Sequence, residues 1–114
     1  VSLFIDPDEV QIHEAIKLEV PVVEFHVGSF SESLSVDKGI EAYSHLRHAV
    51  DLAARNGLEV HAGHGINYEN VAMIARIKDI KELNIGHFLI GEAIFCGLKE
   101  AIDKMRVLMN ETRK

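Results

Sequence analysis

Two short motifs place histidines where an apolar run gives way to a glycine turn. The first is LEVHAGHG, residues 58–65, in which His64 stands between Gly63 and Gly65. The second is NIGH, residues 84–87. Glycine has no Cβ, so the backbone can turn sharply at such a position and a ligand can approach it closely. An imidazole exchanges a proton near neutral pH, which makes His64 a candidate for acid–base chemistry.

The NIGH motif also predicts an anion site. Gly86 and His87 come immediately before Phe88, where a new apolar helix is expected to begin. The first N–H groups of a helix lack partners within the helix, and together with the helix dipole they attract groups such as phosphate. Gly65 on the preceding strand offers a second backbone that a ligand can approach, and paired strand-end loops are a recurrent phosphate site in barrels.

An ionisable pair lies on the strand VVEFHV, residues 22–27. Alternation directs its apolar side chains towards helices and directs Glu24 and His26 to the opposite, inner face. A carboxylate is costly to bury without a partner. Glu24 therefore has either a structural cation beside it or a role in stabilising positive charge or binding a polar substrate.

Each histidine also has a structural interpretation. A histidine at a strand end is more often a hydrogen-bonded structural residue than a catalyst, so both roles stay open for His64. We expect His61 to be structural and to lie on the strand face opposite His64. No HxxxH helix or cysteine pair supports a metal site built from His61, His64 and His87. The single cysteine, Cys96, is predicted to be structural or incidental, and three histidines are predicted to lie on exposed helix surfaces: His13, His45 and His48.

The elements that would position these residues repeat one strand–helix unit. Strands are predicted at 1–5, 22–27, 58–65 and 83–86. Helices are predicted at 7–18, 40–56, around Val71, Ile74 and Ala75 with Asn67 as N-cap, at 88–96, and from Leu98 to about Met109. The segment from Gly28 to Gly39 is predicted to be a loop that could cover a ligand, and Arg113 and Lys114 a frayed tail.

Four successive units of this kind predict an α/β fold with parallel strands and right-handed crossovers. Two architectures fit: a small open doubly wound sheet, or half of a (β/α)₈ TIM barrel. In either one, ligands bind at the carboxyl ends of the strands. Here these ends are Asp6, the loop after His26, His64 with Gly65, and Gly86 with His87.

Composition limits the class of partner. The 114 residues are 47% hydrophobic, carry a formal net charge of −6 and show no basic run, which argues against nucleic acid. No apolar stretch is long enough to span a membrane, and the N-terminus lacks a signal-peptide pattern. We therefore expect a soluble, cytoplasmic protein that forms one domain.

Four segments together resemble a known family. VSLFID, VVEFHVGSF, EVHAGHGINYENV and LNIGHFLIGEAIFCGLKEAI are similar to the C-terminal half of the pyridoxine 5′-phosphate synthases, over nearly the whole chain. The combination of AGHG, NxxN and NIGH-x₃-G is specific. The resemblance implies that residues 1–114 supply strands five to eight of a (β/α)₈ barrel in a homo-oligomer, commonly an octamer, without a metal or organic cofactor.

The resemblance also implies roles for particular residues. It makes His64 the proton donor and Glu24 a transition-state stabiliser, and it assigns Gly65, Gly86 and His87 to the binding of an amino-ketone phosphate. The implied transferase-class reaction condenses 1-deoxy-D-xylulose 5-phosphate with 3-amino-2-oxopropyl phosphate to give pyridoxine 5′-phosphate, phosphate and water. A non-catalytic phosphate-binding or assembly module of the barrel type is the alternative.

The family's remaining catalytic histidine and glutamate belong to the first half of the barrel, which has no counterpart in these residues. We therefore expect the sequence to be a portion of a longer enzyme and to be inactive by itself. Four strands alone leave two open edges and an uncovered inner face, which predicts pairing, aggregation or a partly molten state for the isolated chain.

Overall fold

The computed structural model describes residues 1–31 and 36–114 as a parallel sheet flanked by helices. The strands are β1 (Ser2–Ile5), β2 (Val22–His26), β3 (Glu59–Gly63) and β4 (Ile80–Asn84). The helices are α1 (Glu9–Lys17), α2 (Gly28–Ser31), α3 (Val36–Arg55), α4 (Val71–Ala75), α5 (His87–Cys96) and α6 (Leu98–Thr112). The α/β class and the parallel strands are confirmed.

The strands lie in the order β1-β2-β3-β4, so each described strand pairs with its neighbours in sequence. Phe4 is opposite Glu24, Glu24 opposite His61, and Gly63 opposite Asn84. A doubly wound sheet reverses its strand order at a switch point. The four described strands contain no such reversal, which favours barrel-type winding over the open alternative.

The hydrophobic core lies between one face of the sheet and the helices. Val23, Phe25 and Val60 alternate with polar neighbours along β2 and β3 and are fully buried. Residues of four helices complete the same cluster, among them Ile12, Leu46, Ile74 and Met105. The opposite face carries the side chains that alternate with the core, including Phe4, Glu24 and His26, so the two faces predicted for β2 are confirmed.

Helix α5 differs from the other long helices because none of its residues is buried. Ile94 and Phe95 are 79% and 88% exposed. Its remaining side contacts α6, which in turn packs against α4. No helix in the described part of the chain combines the length and the apolar character that crossing a bilayer requires.

The loop predicted from Gly28 to Gly39 is wrong at both ends. Residues 28–31 form α2, because Phe30 turns back to contact the Tyr43 ring at 5.9 Å. Helix α3 begins at Val36, with Asp37 at its favourable N-terminal end, and it includes Gly39. The middle of the predicted loop, residues 32–35, lies outside the described residues.

Several element boundaries also differ from the prediction: β3 is 59–63 rather than 58–65, and α6 continues to Thr112. Helix α1 begins at Glu9 rather than Pro7, since Asp8 keeps the extended backbone of an N-cap. Strand β4 covers residues 80–84 rather than 83–86. Ile80 must enter the core opposite Val60, and Gly86 is already the N-cap of α5.

The prediction of a frayed C-terminus is wrong for Arg113. Its guanidinium Nε donates to the Ala75 carbonyl at 2.6 Å. One terminal nitrogen, Nη2, donates to the carbonyls of Ile77 and Ile80 at 3.1 and 2.7 Å. A planar guanidinium with several donors suits this cluster of backbone acceptors, so it fastens the end of α6 to the α4–β4 connection.

Arg113→Met keeps most of the aliphatic stem but removes all three hydrogen bonds. We expect it to lower the free energy of unfolding by about 1–3 kcal/mol, because the carbonyls lose a charged donor. Urea denaturation followed by circular dichroism measures the change. Lys114→Met, at the exposed neighbouring position, is the control, and equal stabilities of the two variants would contradict this role.

Candidate active site

A cavity of about 630 Å³ lies at the carboxyl edge of the sheet. All five residues that were assigned a catalytic or substrate-binding role line this cavity. The lining residues are Phe4, Glu24, His64, Gly65, Ile66, Asn67, Asn84, Ile85, Gly86, His87 and Phe88. Asp6, also predicted at a strand end, is not among them. Its backbone N–H instead binds the Gln11 side chain.

Glu24 reaches the cavity by crossing the neighbouring strand at Gly63. Its Oε2 accepts a hydrogen bond from Nδ2 of Asn84 on β4 at 3.1 Å. A Cβ on Gly63 would overlap Oε1 of Glu24 and would lie 3.1 Å from the Asn84 carbonyl oxygen. Because Gly63 has no side chain, the Glu24 carboxylate can pass over β3 at this position.

His64 has a left-handed backbone conformation, with φ +69°, and Gly65 follows with φ +86°. A residue with a Cβ pays about 1–2 kcal/mol for this conformation. The turn ends the alternation of β3 and brings the His64 ring against Phe4 and His26, which belong to the inner face. The expectation that His64 and His61 occupy opposite faces is therefore wrong, because strand alternation does not continue through a left-handed residue.

The two asparagines of the NxxN motif hold this turn. Asn67 Oδ1 accepts hydrogen bonds from the N–H groups of Glu69 and Asn70 at 2.9 and 3.0 Å. Asn70 Oδ1 accepts from the Asn67 N–H at 2.9 Å, and its Nδ2 donates to the Gly65 carbonyl at 3.0 Å. Asn67 thus caps the turn before α4 rather than α4 itself, and Asn70 orients the peptide that follows Gly65.

The other side of the cavity is the start of α5. Gly86 is its N-cap and His87 its first residue, and both line the cavity together with Phe88. The N–H groups of a first helical turn have no acceptor inside the helix. They therefore present partial positive charge to the cavity, which Gly65 also lines.

Tyr68 connects this region to α6. Its hydroxyl donates to the Ala101 carbonyl at 3.1 Å, and its ring meets the edge of Phe88 with centroids 4.7 Å apart. Desolvation and, after it, the Glu92 carboxylate raise the pKa of Tyr68. The hydroxyl consequently stays protonated and available as a donor.

The remaining histidines agree with their structural interpretations. His61 lies between Glu59 and Glu82, with ring nitrogens 2.7 and 3.7 Å from their carboxylate oxygens. His48 is exposed and contacts Glu9, and His13 and His45 are exposed as predicted. Among residues 1–31 and 36–114, no group of three or more His, Cys, Asp or Glu side chains could hold a metal ion.

A second depression, of about 810 Å³, lies on the helix side of the molecule. Its lining mixes charges of both signs, with Arg47, Arg55 and Arg76 close to Asp51 and Asp79. Arg55 Nε already binds Asp51 at 3.0 Å. The carboxyl ends of the described strands do not converge on this second depression, so we assign the candidate site to the cavity at the sheet edge.

Comparison with known proteins agrees with this geometry. Residues 1–111 match the family model described as "Pyridoxal phosphate biosynthesis protein PdxJ". The chain belongs to the PdxJ family. The resemblance found in the sequence motifs is thereby confirmed.

Relatives of this PdxJ chain carry the name pyridoxine 5′-phosphate synthase. The protein from Zymomonas mobilis is 51% identical over 113 residues, which are 99% of this chain and 44% of that protein. The Legionella pneumophila (strain Corby) protein is 48% identical over 99% of this chain and 46% of its own length. The Blochmanniella pennsylvanica protein is 44% identical over the whole chain and 47% of its own length. The chain thus spans about half the length of the curated relatives it matches.

The sequence did not predict the contribution of two lining residues of the PdxJ cavity, Asn84 and Phe4, or that of Asn70, which holds the turn at Gly65. Asn84 lies on the same face as Glu24, but this is visible only when β4 is placed at residues 80–84. Alternation along β1 could have identified Phe4, which is 57% exposed on the inner face. The partnership of Asn70 with Gly65 depends on the left-handed turn, for which the GHG pattern was the available signal.

Gly63→Ala in the PdxJ chain tests the opening used by Glu24. We expect the carboxylate to leave hydrogen-bonding distance of Asn84 Nδ2 while the fold persists, because the flexible end of Glu24 can move aside. Crystallography of the variant measures the separation. Gly91→Ala, which meets open space within α5, is the matched control and should leave Glu24 in place. An unmoved carboxylate in Gly63→Ala would contradict the steric argument.

Proposed function

We propose that this chain supplies strands five to eight of a (β/α)₈ barrel in a pyridoxine 5′-phosphate synthase. In this proposal the enzyme condenses 1-deoxy-D-xylulose 5-phosphate with 3-amino-2-oxopropyl phosphate, giving pyridoxine 5′-phosphate, phosphate and water. The observation that carries the proposal is the convergence of Glu24, His64, Gly65, Gly86 and His87 on one cavity. Their residue types match the binding of a phosphate ester and the transfer of protons.

The phosphate of the amino-ketone binds between the turn at Gly65 and the start of α5. Backbone N–H groups near Gly86 and His87 donate to its oxygens, and the dipole of the ten-residue helix α5 favours its negative charge. Gly65 allows a close approach, and Asn70 holds the carbonyl that must point away from the anion. This end of the substrate is thereby fixed relative to the His64 ring.

His64 and Glu24 act on the reacting end of the substrates. Condensation of an amine with a ketone passes through a cationic iminium, and a fixed carboxylate such as that of Glu24 stabilises the developing positive charge. Loss of water requires a proton on the departing hydroxyl group, which the protonated His64 imidazole donates. Asn84 keeps the carboxylate of Glu24 oriented without supplying a proton-transfer group.

The rest of the proposed barrel completes the site. Several proton transfers accompany imine formation, dehydration and aromatisation, and His64 alone cannot perform them all. Strands one to four would supply the other acids and bases, close the open edges at β1 and β4, and cover the inner face. Subunits then associate into a homo-oligomer, and the proposed chemistry uses neither a metal nor an organic cofactor.

His64→Asn in the full-length protein tests the proton donor. Asparagine tolerates the left-handed backbone, so the change removes the imidazole with little strain. We expect kcat to fall about 10²–10⁴-fold, with the KM for the amino-ketone phosphate changed by less than about threefold. His48→Asn on exposed α3 is the control. Unchanged turnover in His64→Asn would remove this residue from catalysis.

Gly65→Val tests the phosphate site. The added side chain should obstruct the anion and raise the Kd for 3-amino-2-oxopropyl phosphate at least about tenfold, measured by isothermal titration calorimetry. Gly57→Val introduces the same strain at φ +83°, in open space between α3 and β3, and should leave the affinity intact. Undiminished affinity in Gly65→Val would contradict the assigned site. Tight binding without turnover in the unmodified full-length protein would instead support a non-catalytic binding module.

A further inference from the structure

His26 is the last residue of β2 and lies on its inner face, but it does not line the cavity. Its ring is stacked on that of His64, with centroids 4.4 Å apart and planes inclined by 29°. Phe4 touches the same pair, with its centroid 5.4 Å from His26 and 6.5 Å from His64. Three consecutive strand ends therefore contribute one ring each to a cluster at the edge of the cavity.

The first residue of α2 fixes the orientation of the His26 ring. The Gly28 backbone N–H donates a hydrogen bond to Nδ1 of His26 at 3.2 Å. An acceptor nitrogen carries a lone pair, so in this arrangement His26 is neutral and its proton is on Nε2. A Cβ at Gly28 would overlap the His26 ring, and a glycine is needed there for the contact to form.

The stack gives His64 a support that its own backbone does not provide. His64 is an exposed residue with φ +69°, and its side chain projects from a turn rather than from a strand. Strained conformations of this kind persist where surrounding contacts specify them. The aromatic face of a neutral imidazole can also lie against a protonated one favourably, whereas a second protonated ring would repel it.

We propose that His26 is a positioning residue for His64. Its neutral ring, oriented by the hydrogen bond from Gly28, stacks against the His64 imidazole and holds it at the edge of the cavity, where the proton is delivered. The inference rests on the proposed role of His64 as proton donor. His26 itself is assigned no proton transfer, only the support of the His64 ring.

Two variants of the full-length enzyme distinguish a stacking role of His26 from a chemical role. His26→Ala removes the stacking surface, and we expect kcat to fall about 10–100-fold, since misplacing a catalytic group by about 1 Å has an effect of this size. The KM for 3-amino-2-oxopropyl phosphate should change less than about twofold, because its phosphate contacts lie elsewhere. His26→Phe restores a flat ring, and its kcat should return to within about threefold of the unmodified enzyme.

A double-mutant cycle with His64→Asn tests whether His26 acts through His64. In the His64→Asn background, His26→Ala should have no further effect on kcat, because the ring it supports is already gone. Thermal unfolding of each variant checks that the fold persists. His26→Phe as slow as His26→Ala, unchanged kcat in His26→Ala, or effects that multiply in the double variant would each overturn the positioning role.

The same measurements separate this inference from the proposed function. Absence of synthase turnover in the unmodified full-length protein, or normal turnover in His64→Asn, refutes the proposed function and therefore also the positioning role of His26. Normal turnover in the unmodified enzyme and a large loss in His64→Asn, combined with a failed His26 series, refute only the positioning role.

Discussion

Parallel pairing of consecutive strands brings every residue of the candidate site to one edge of the sheet. In-register pairing places Glu24 beside His61 and Gly63 beside Asn84, and all four strands end on the same side. Because side chains alternate, one face must be apolar to receive the helices, and the polar residues are left on the other. The core and the cavity are therefore two results of one arrangement of backbone hydrogen bonds.

Much of this arrangement could be predicted from residue patterns. Apolar alternation in VVEFHV correctly separated the buried Val23 and Phe25 from the inward Glu24. Glycine-flanked histidines at two strand ends identified residues that do share one cavity. The two faces of a regular strand depend mainly on local periodicity, which a single sequence contains.

The features that could not be predicted depend on contacts between distant segments. The extent of β4 is set by Ile80 meeting the core opposite Val60, and the C-terminal end of α6 by carbonyls more than thirty positions away from Arg113. The face occupied by His64 depends on a backbone dihedral angle that periodicity does not encode. In each case a tertiary contact or a left-handed residue overrides the local signal.

The simple strand order has a consequence for how this sheet can assemble. Every pairing among the described strands joins neighbours along the chain, so each strand–helix unit packs onto the unit that precedes it in the sequence. The entropy cost of closing a connection grows only slowly with its length, so the sheet can be built by adding one strand–helix unit after another. Among the strands of residues 1–31 and 36–114, none has to wait for a remote partner before it can be inserted. A sheet with this strand order can be extended at either edge without rearranging the units already in place.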